Sequence, residues 1–472
     1  MGRKFIFNVT EKGASHEKSG KPCQDYSLSW ESDDKQIQIV VVCDGHGGDT
    51  YVRSDVGSKL AAEIALSNIR SFIDSTSPAM FLGKSAAVTA RPNQELDSLF
   101  PSLCKVKQEK LTEIEEEQLL QDNAFYAAVN KIREQDYLFT RLFASIHLQW
   151  LSGIKKDESE NPFTDEEKSH LRNADIVKAY GSTLMAFART PLYWFAFHIG
   201  DGKMVSCDRN MTWIEPVPWD CKCFLNVTTS LCNSNPVPMF RYAFSGKGDF
   251  PVAVILGSDG LDDSWGTMEA LQNFYSQTLS IFNKIGEKQA VKELAVHLSE
   301  VSKKASRDDM SMAGIVDMDE IKDAIAIYSM QREIRALKRE EEKWESGLSN
   351  LKEQYVSLEK ELSRLTVDLE KEESSFQSWW KSLSMQKSRK ENDLEKEKEN
   401  LRRKKLELEN LRISYEKKNT EFQTWFSNAN KNKDDLEQKI SVEMQNNEMK
   451  EKEKYELWVQ AKEAFERNEM LN

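Results

Sequence analysis

The sequence predicts a mixed α/β or α+β globular part over residues 1–318, followed by long α-helices in coiled-coil register over residues 319–472. Three observations predict this. All 11 Pro and all but one of the 20 Gly lie before residue 319, and only Gly347 lies beyond. A segment without Pro, nearly without Gly and rich in Lys and Glu reads as long helix. Short β-branched runs ending in Gly or Asp alternate with helical patterns in the first part. The second part carries a heptad repeat.

In chain order, residues 36–43 read as a strand and 50–73 as a helix. Residues 74–122 read as a loop followed by a charged helix over 106–121, and a further helix is expected at about 124–151. Residues 182–188 and 192–198 read as a strand pair joined at Arg189-Thr190-Pro191. Residues 251–256 and 312–316 are further strands, with a helical pattern over 267–304 between them.

In the second part Trp344, Leu351, Leu358 and Leu365 recur every seven residues. Leu348, Tyr355, Leu362, Leu369 and Phe376 fill the interleaved positions, so both sets share one seam. The pattern resumes at Leu394, Leu401, Leu408, Tyr415 and Phe422. Phe376-Gln377-Ser378-Trp379-Trp380 is echoed by Phe422-Gln423-Thr424-Trp425-Phe426, and Tyr455/Trp458 is a third aromatic pair. Such pairs read as a packed seam, with a partner-docking patch as the rival. The polar stretches 385–392 and 427–434 read either as turns of a hairpin or three-helix bundle, or as exposed turns of one rod. The lack of Gly and Pro favours the rod slightly; the aromatic clusters favour folding back.

Charge and hydropathy exclude several functions. With 65 Lys+Arg against 78 Asp+Glu the net charge is −13, which argues against nucleic-acid binding. The apolar runs are strand-length, far short of the roughly 20 residues a membrane helix needs. The first residues lack the apolar region of a secretory signal, and seven scattered Cys read as reduced thiols in a cytoplasm. The expectation is a cytoplasmic protein with neither nucleic-acid nor membrane partners.

Three apolar runs end in Asp-Gly, at Asp44-Gly45, Asp201-Gly202 and Asp259-Gly260. A further pair, Asp308-Asp309, immediately precedes a strand. One Asp-Gly after a strand is usually a turn. Four carboxylates at converging strand ends repel one another, and a hard divalent cation such as Mg²⁺ or Mn²⁺ relieves that repulsion. Cysteine-based phosphatase loops and P-loops are absent from the sequence.

The ordered motifs Gly13-Ala14-Ser15-His16, Pro22-Cys23-Gln24-Asp25, Asp44-Gly45-His46-Gly47-Gly48, Gly181-Ser182-Thr183-Leu184, Gly200-Asp201-Gly202, Ser258-Asp259-Gly260 and Asp308-Asp309-Met310-Ser311 resemble the PPM-type (type-2C) metal-dependent Ser/Thr protein phosphatases, bacterial branch. The resemblance covers about residues 8–317 and leaves out the coiled coil. It implies an α+β fold, an α-β-β-α sandwich of two central sheets, with a metal pair at one end. Asp44 would bridge two Mn²⁺ or Mg²⁺ ions, the Gly45 carbonyl would bind the second, and Asp259 and Asp308 would complete the first. Asp25 would lie beside the second, and Asp201 with Asp259 would be candidates for a weaker third ion. His46 would be the general acid for the leaving Ser or Thr oxygen, with a metal-activated water as nucleophile. In the family a flap beside the active site falls at residues 207–242.

Three positions depart from the family pattern. Gln24 stands where many members have Glu, Gly20 where many have a phosphate-binding Arg, and Asp309 where Asn is common. Lys21 or His16 would take over phosphate binding, and the Asp309 change is expected to matter little. The implied function is phosphoserine/phosphothreonine hydrolysis on a phosphoprotein, with the coiled coil for dimerisation or partner docking. The rival is a low-turnover phosphatase-like scaffold assembled through the coiled coil.

Overall fold

The computed structural model describes residues 3–89, 134–172, 174–220, 223, 227–380 and 387–471. The charged helix expected over 106–121 lies outside them, as do the first ten residues of the helix expected from 124.

Two antiparallel sheets stack face to face. The first has strand order β1-β11-β10-β7-β8, built from β1 (Lys4–Glu11), β7 (Lys203–Cys207), β8 (Trp213–Ile214), β10 (Ala253–Gly257) and β11 (Met310–Asp317). The second has order β2-β3-β5-β6-β9-β4. Its strands are β2 (Tyr26–Glu31), β3 (Gln38–Cys43), β4 (Ser85–Val88), β5 (Leu184–Arg189), β6 (Trp194–Ile199) and β9 (Arg241–Ser245). Helices α2 (Ser54–Ser75) and α3 (Glu134–Glu160) cover the outer face of the second sheet. Helices α6 (Met268–Ile285) and α7 (Glu287–Lys304) cover the outer face of the first. The layering is therefore α-β-β-α.

Strand β3 shows why its sequence reads as an unbroken apolar run. Ile39, Val41 and Cys43 face the α2/α3 layer, while Val40 and Val42 face the other sheet. Both faces are buried, so the period-2 alternation of a half-exposed strand disappears. Strands β1 and β2 escaped the sequence reading for the opposite reason, because polar residues interrupt them. Those residues join the two sheets: Asn8 Nδ2 donates to Ser27 O at 3.1 Å, Ser29 Oγ donates to Asn8 Oδ1 at 2.7 Å, and Thr10 Oγ1 meets Ser27 Oγ at 2.7 Å. The single helical pattern over 267–304 is two helices. Gly286, with φ of 86°, takes the chain out of α6 and into α7.

Two further helices, α8 (Ile321–Trp380) and α9 (Lys387–Leu471), form the C-terminal part. The chain divides into two compact units, residues 1–328 with 444–472, and residues 329–443. Within the second unit the helices run antiparallel. Asn432 Nδ2 donates to Glu333 Oε1 at 3.1 Å, Trp344 lies 6.2 Å from Phe422 and 6.5 Å from Trp425, and Lys398 pairs with Glu373 at 2.7 Å. The chain therefore folds back, and the slight preference for a rod is corrected. The aromatic contacts outweigh the missing Gly and Pro. Residues 427–434 are helical within α9 and make no second turn.

The end of α9 belongs to the first unit. Arg209, 6% exposed, donates to Glu451 Oε1 at 3.0 Å and to Asp323 Oδ2 at 2.8 Å. Asn447 Nδ2 donates to Arg209 O at 3.0 Å. Lys454 Nζ donates to Glu320 Oε2 at 2.8 Å and to Phe250 O at 2.9 Å. Trp458 is buried, and its Nε1 donates to Leu192 O at 3.0 Å. The Tyr455 and Trp458 rings stay paired at 5.6 Å; Tyr455 is exposed, and Trp458 anchors α9 on the unit that holds the sheets. No helix among the described residues is long and apolar enough to cross a membrane.

Replacing Trp458 by Ala removes a buried indole and orphans the Leu192 carbonyl. Urea unfolding of Trp458→Ala is expected to show a loss of about 2–4 kcal/mol. A change within about 0.5 kcal/mol would mean that α9 does not brace this unit.

Candidate active site

Strand ends bring the candidate residues together. Asp44 and Gly45 follow β3, Asp201 lies in the β6–β7 turn, Asp259 opens α5 (Asp259–Trp265) after β10, and Asp308 precedes β11. Asp25 sits just before β2. Each is held by its own local bonds. Asp44 N–H donates to Thr183 Oγ1 at 3.0 Å, and Thr183 N–H donates to Asp44 O at 2.8 Å. Gly200, with φ of 125°, makes the turn before Asp201. The buried Arg241 supports that turn by donating to Gly200 O at 2.5 Å.

The carboxylates crowd one another. Burial raises the Asp44 pKa well above the usual range, and the charges of Asp259, Asp25 and Asp201 add to the effect. Burial raises Asp25 likewise, with the charges of Asp309, Asp259 and Asp308 adding to it. Asp259 is pushed up to about 6, by burial first and by Asp201 and Asp308 among its neighbours. Asp201 and Asp308 are also raised, burial being the largest cause for each. Without a cation the cluster resists full ionisation.

Among the described residues, the buried oxygens without a hydrogen-bond partner include two at this site, Asp25 Oδ2 and Gln24 Oε1. Gln24 spends its amide on Ser54, Nε2 donating to Ser54 Oγ at 2.6 Å, which leaves Oε1 unpaired. Buried unpaired oxygens beside crowded carboxylates fit a hard divalent cation, which takes oxygen ligands alone. The residues therefore suit Mn²⁺ or Mg²⁺.

Of the two candidate phosphate binders, Lys21 is exposed, and its Nζ donates to Gly47 O at 3.3 Å at the mouth of the site. His16 is buried on α1 (Ala14–Ser19), with Nδ1 2.9 Å from Asp309 Oδ2. The structure thus brings Lys21 to the Asp44–Gly48 loop and turns His16 towards Asp309.

Asp309 carries more than the sequence suggested. It is 2% exposed, and its two oxygens accept from Gly13 N and Gln24 N, both at 2.6 Å. An Asn there offers a single acceptor oxygen, so this carboxylate ties the Gly13 and Gln24 turns together as Asn would not. His16, Asp308 and Asp309 bring ligand-type atoms within 4.8 Å of one another.

His46 lies against the Gly181 motif. Its N–H donates to Gly181 O at 3.1 Å, and its ring packs edge-on against Tyr51. A Cβ on Gly181 would fall 2.5 Å from His46 Cδ2, so only Gly leaves room for the ring. Burial, aided by the Lys178 charge, lowers the His46 pKa to about 4. Residues from the 207–242 segment reach the site: Thr229 Oγ1 accepts from Gly200 N at 3.0 Å, and Ser230 Oγ lies 2.7 Å from His46 Nε2. Ser54 and Ser230 had no motif to mark them, since a lone hydroxyl carries no spacing signal.

The family model for protein phosphatase 2C matches residues 12–299. No curated protein matches the sequence significantly. Among solved structures, a bacterial serine phosphatase is 12% identical, with 67% of this chain and 98% of that one covered and a TM-score of 0.37. The serine/threonine phosphatase Stp1 from Staphylococcus aureus is 12% identical over 67% of this chain and 95% of its own, with a TM-score of 0.35. The catalytic domain of the serine/threonine phosphatase PstP, in complex with two manganese ions, is 13% identical over 66% and 97%, with a TM-score of 0.34.

A group whose folded pKa is raised stabilises the fold below its unfolded pKa, and that contribution is lost as pH rises through the folded value. For Asp259 the window runs from about 4 to about 6. In EDTA, Asp259→Asn is therefore expected to raise Tm, by about 3 °C or more at pH 7 and by less at pH 5. A gain that does not grow with pH would contradict the crowding.

Proposed function

Because the chain belongs to the protein phosphatase 2C family of serine/threonine phosphatases, whose model spans more than half of it, we propose that it hydrolyses phosphoserine and phosphothreonine on a phosphoprotein with two Mn²⁺ or Mg²⁺ ions. The observation that carries this reading is the crowding of Asp44, Asp201, Asp259 and Asp308 around the buried Asp25, whose Oδ2 has no hydrogen-bond partner. Asp44, Asp259, Asp308 and the Gly45 carbonyl would hold the pair, with Asp25 and the Gln24 amide oxygen beside the second ion and Asp201 as a ligand for a weaker third. Such ions supply charge neutralisation at the phosphoryl oxygens and a water acidic enough to attack at neutral pH.

The remaining work falls to the chain's own residues. Thr183 fixes the Asp44 backbone from both sides, so the carboxylate stays aimed into the cluster. Lys21 offers an ammonium at the mouth for the incoming phosphate. His46 donates the proton that the leaving seryl or threonyl oxygen needs. Its pKa of about 4 belongs to a free site. A bound phosphate dianion favours the imidazolium, so the proton is held most firmly once substrate is in place.

The antiparallel pair α8/α9 fills its heptad seam within one chain, Trp344 meeting Phe422 and Trp425. That supports partner docking over dimerisation for the helical part. Light scattering of the full chain is expected to give a monomer of about 54 kDa; a dimer would favour self-association.

With a phosphoseryl peptide and Mn²⁺, Asp44→Asn is expected to lower kcat by about 10³-fold or more, and EDTA to abolish turnover. Full turnover in EDTA would overturn the metal-dependent reading. A folded, Mn²⁺-binding chain without turnover would favour the scaffold.

A further inference from the structure

Ser230, in the segment between β8 and β9, is 2% exposed and belongs to no motif. Its hydroxyl stands at a four-way junction. Oγ donates to Ser182 O at 3.0 Å, accepts from Cys232 N at 3.3 Å and lies 2.7 Å from His46 Nε2; Cys232 Sγ is also within 3.2 Å. The backbone holds it rigidly: Ser230 N donates to Asn233 Oδ1 at 2.7 Å, and Leu231 N donates to the same Ser182 O at 3.0 Å. A hydroxyl has one proton. Spent on Ser182 O, it leaves Oγ able only to accept from the imidazole, so Nε2 carries a hydrogen. His46 Nδ1 makes no hydrogen bond among the described residues and is the atom left for chemistry.

Resting on the assignment of His46 as proton donor, we propose that Ser230 is a positioning residue that locks the His46 ring with Nε2–H on its hydroxyl and makes Nδ1 the donating atom. In the step this implies, water oxygen bonds to phosphorus as the bond from phosphorus to the seryl oxygen breaks. The electron pair stays on the seryl oxygen, which takes the proton from Nδ1. The imidazole is left neutral, its remaining hydrogen still on Nε2. The proton lost by the attacking water restores Nδ1–H, so the sum is phosphomonoester plus water to alcohol plus phosphate. The Gly181 motif thereby acquires a purpose: Ser182 O orients the Ser230 hydroxyl, and Gly181 makes room for the ring it aims.

The test separates orientation from folding. An alkoxide leaving group needs the proton, whereas p-nitrophenolate leaves without one. With the full chain and Mn²⁺, Ser230→Ala is expected to lose about 10- to 100-fold in kcat on a phosphoseryl peptide, with KM within about twofold. On p-nitrophenyl phosphate the expected loss is less than about threefold, which also reports an intact fold and cluster. Ser230→Thr, which keeps the hydroxyl, is expected to recover most of the peptide activity. In the Mg²⁺-loaded full chain, ¹⁵N shifts of labelled histidine should show His46 protonated at Nε2, and a mixture of tautomers in Ser230→Ala. Equal losses on both substrates, or an unchanged tautomer in Ser230→Ala, would overturn the proposal. His46→Ala is the control for the parent reading: if it hydrolyses the phosphoseryl peptide normally, His46 is not the donor, while the ¹⁵N shifts still decide whether Ser230 sets the ring.

Discussion

Repulsion among crowded carboxylates is the constraint around which this chain is arranged. Asp25, Asp44, Asp201, Asp259 and Asp308 come from separate places in the sequence, and the stacked sheets deliver them to one end. Each loses hydration there, and each raises the cost of ionising its neighbours. A hydrophobic core alone would push such groups apart. The backbone prevents this with short, local bonds: Thr183 grips Asp44 at both N–H and C=O, Arg241 lies under the Gly200 carbonyl, and Ser258 and Ser311 bond across the base of Asp259 and Asp308. Strain of this kind persists where a function requires it.

Asp309 shows how the cluster is tied to the N-terminal motif. Its two oxygens take the Gly13 and Gln24 amides, and His16 stands 2.9 Å from one of them. The Gly-x-Ser-His and Pro-Cys-Gln-Asp segments therefore act as one clamp around a single carboxylate. Asp25 follows Gln24 directly, so its place in the site depends on that clamp. Gln24 adds a second tie through Ser54, whose Oγ donates to His46 O at 2.9 Å. The Gln24 and His46 segments thus share a hydroxyl.

Much of this was legible from residue order. The strand runs before Asp44 and Asp259 stood out because both their faces are buried, and the Asp-Gly turns marked where those strands end. The layering, like the ligand set proposed above, came from the resemblance to type-2C phosphatases. Strands β1 and β2 were not legible, because Asn8, Ser27 and Ser29 bridge the two sheets with polar atoms, and no periodicity announces such a bridge. The break at Gly286 was available as a lone Gly inside a helical pattern. Supporting hydroxyls such as Ser54 and Ser230 act only through tertiary proximity. The destination of Trp458 was hidden as well: its spacing from Tyr455 fits a helical seam, and only the fold shows it on the Leu192 carbonyl.

If the carboxylate crowd is a divalent-cation site, calorimetric titration of the EDTA-stripped full chain with Mn²⁺ shows at least two bound ions, with the tighter sites lost in Asp44→Asn. Binding unchanged in Asp44→Asn, or no binding to the stripped wild-type chain, would contradict it.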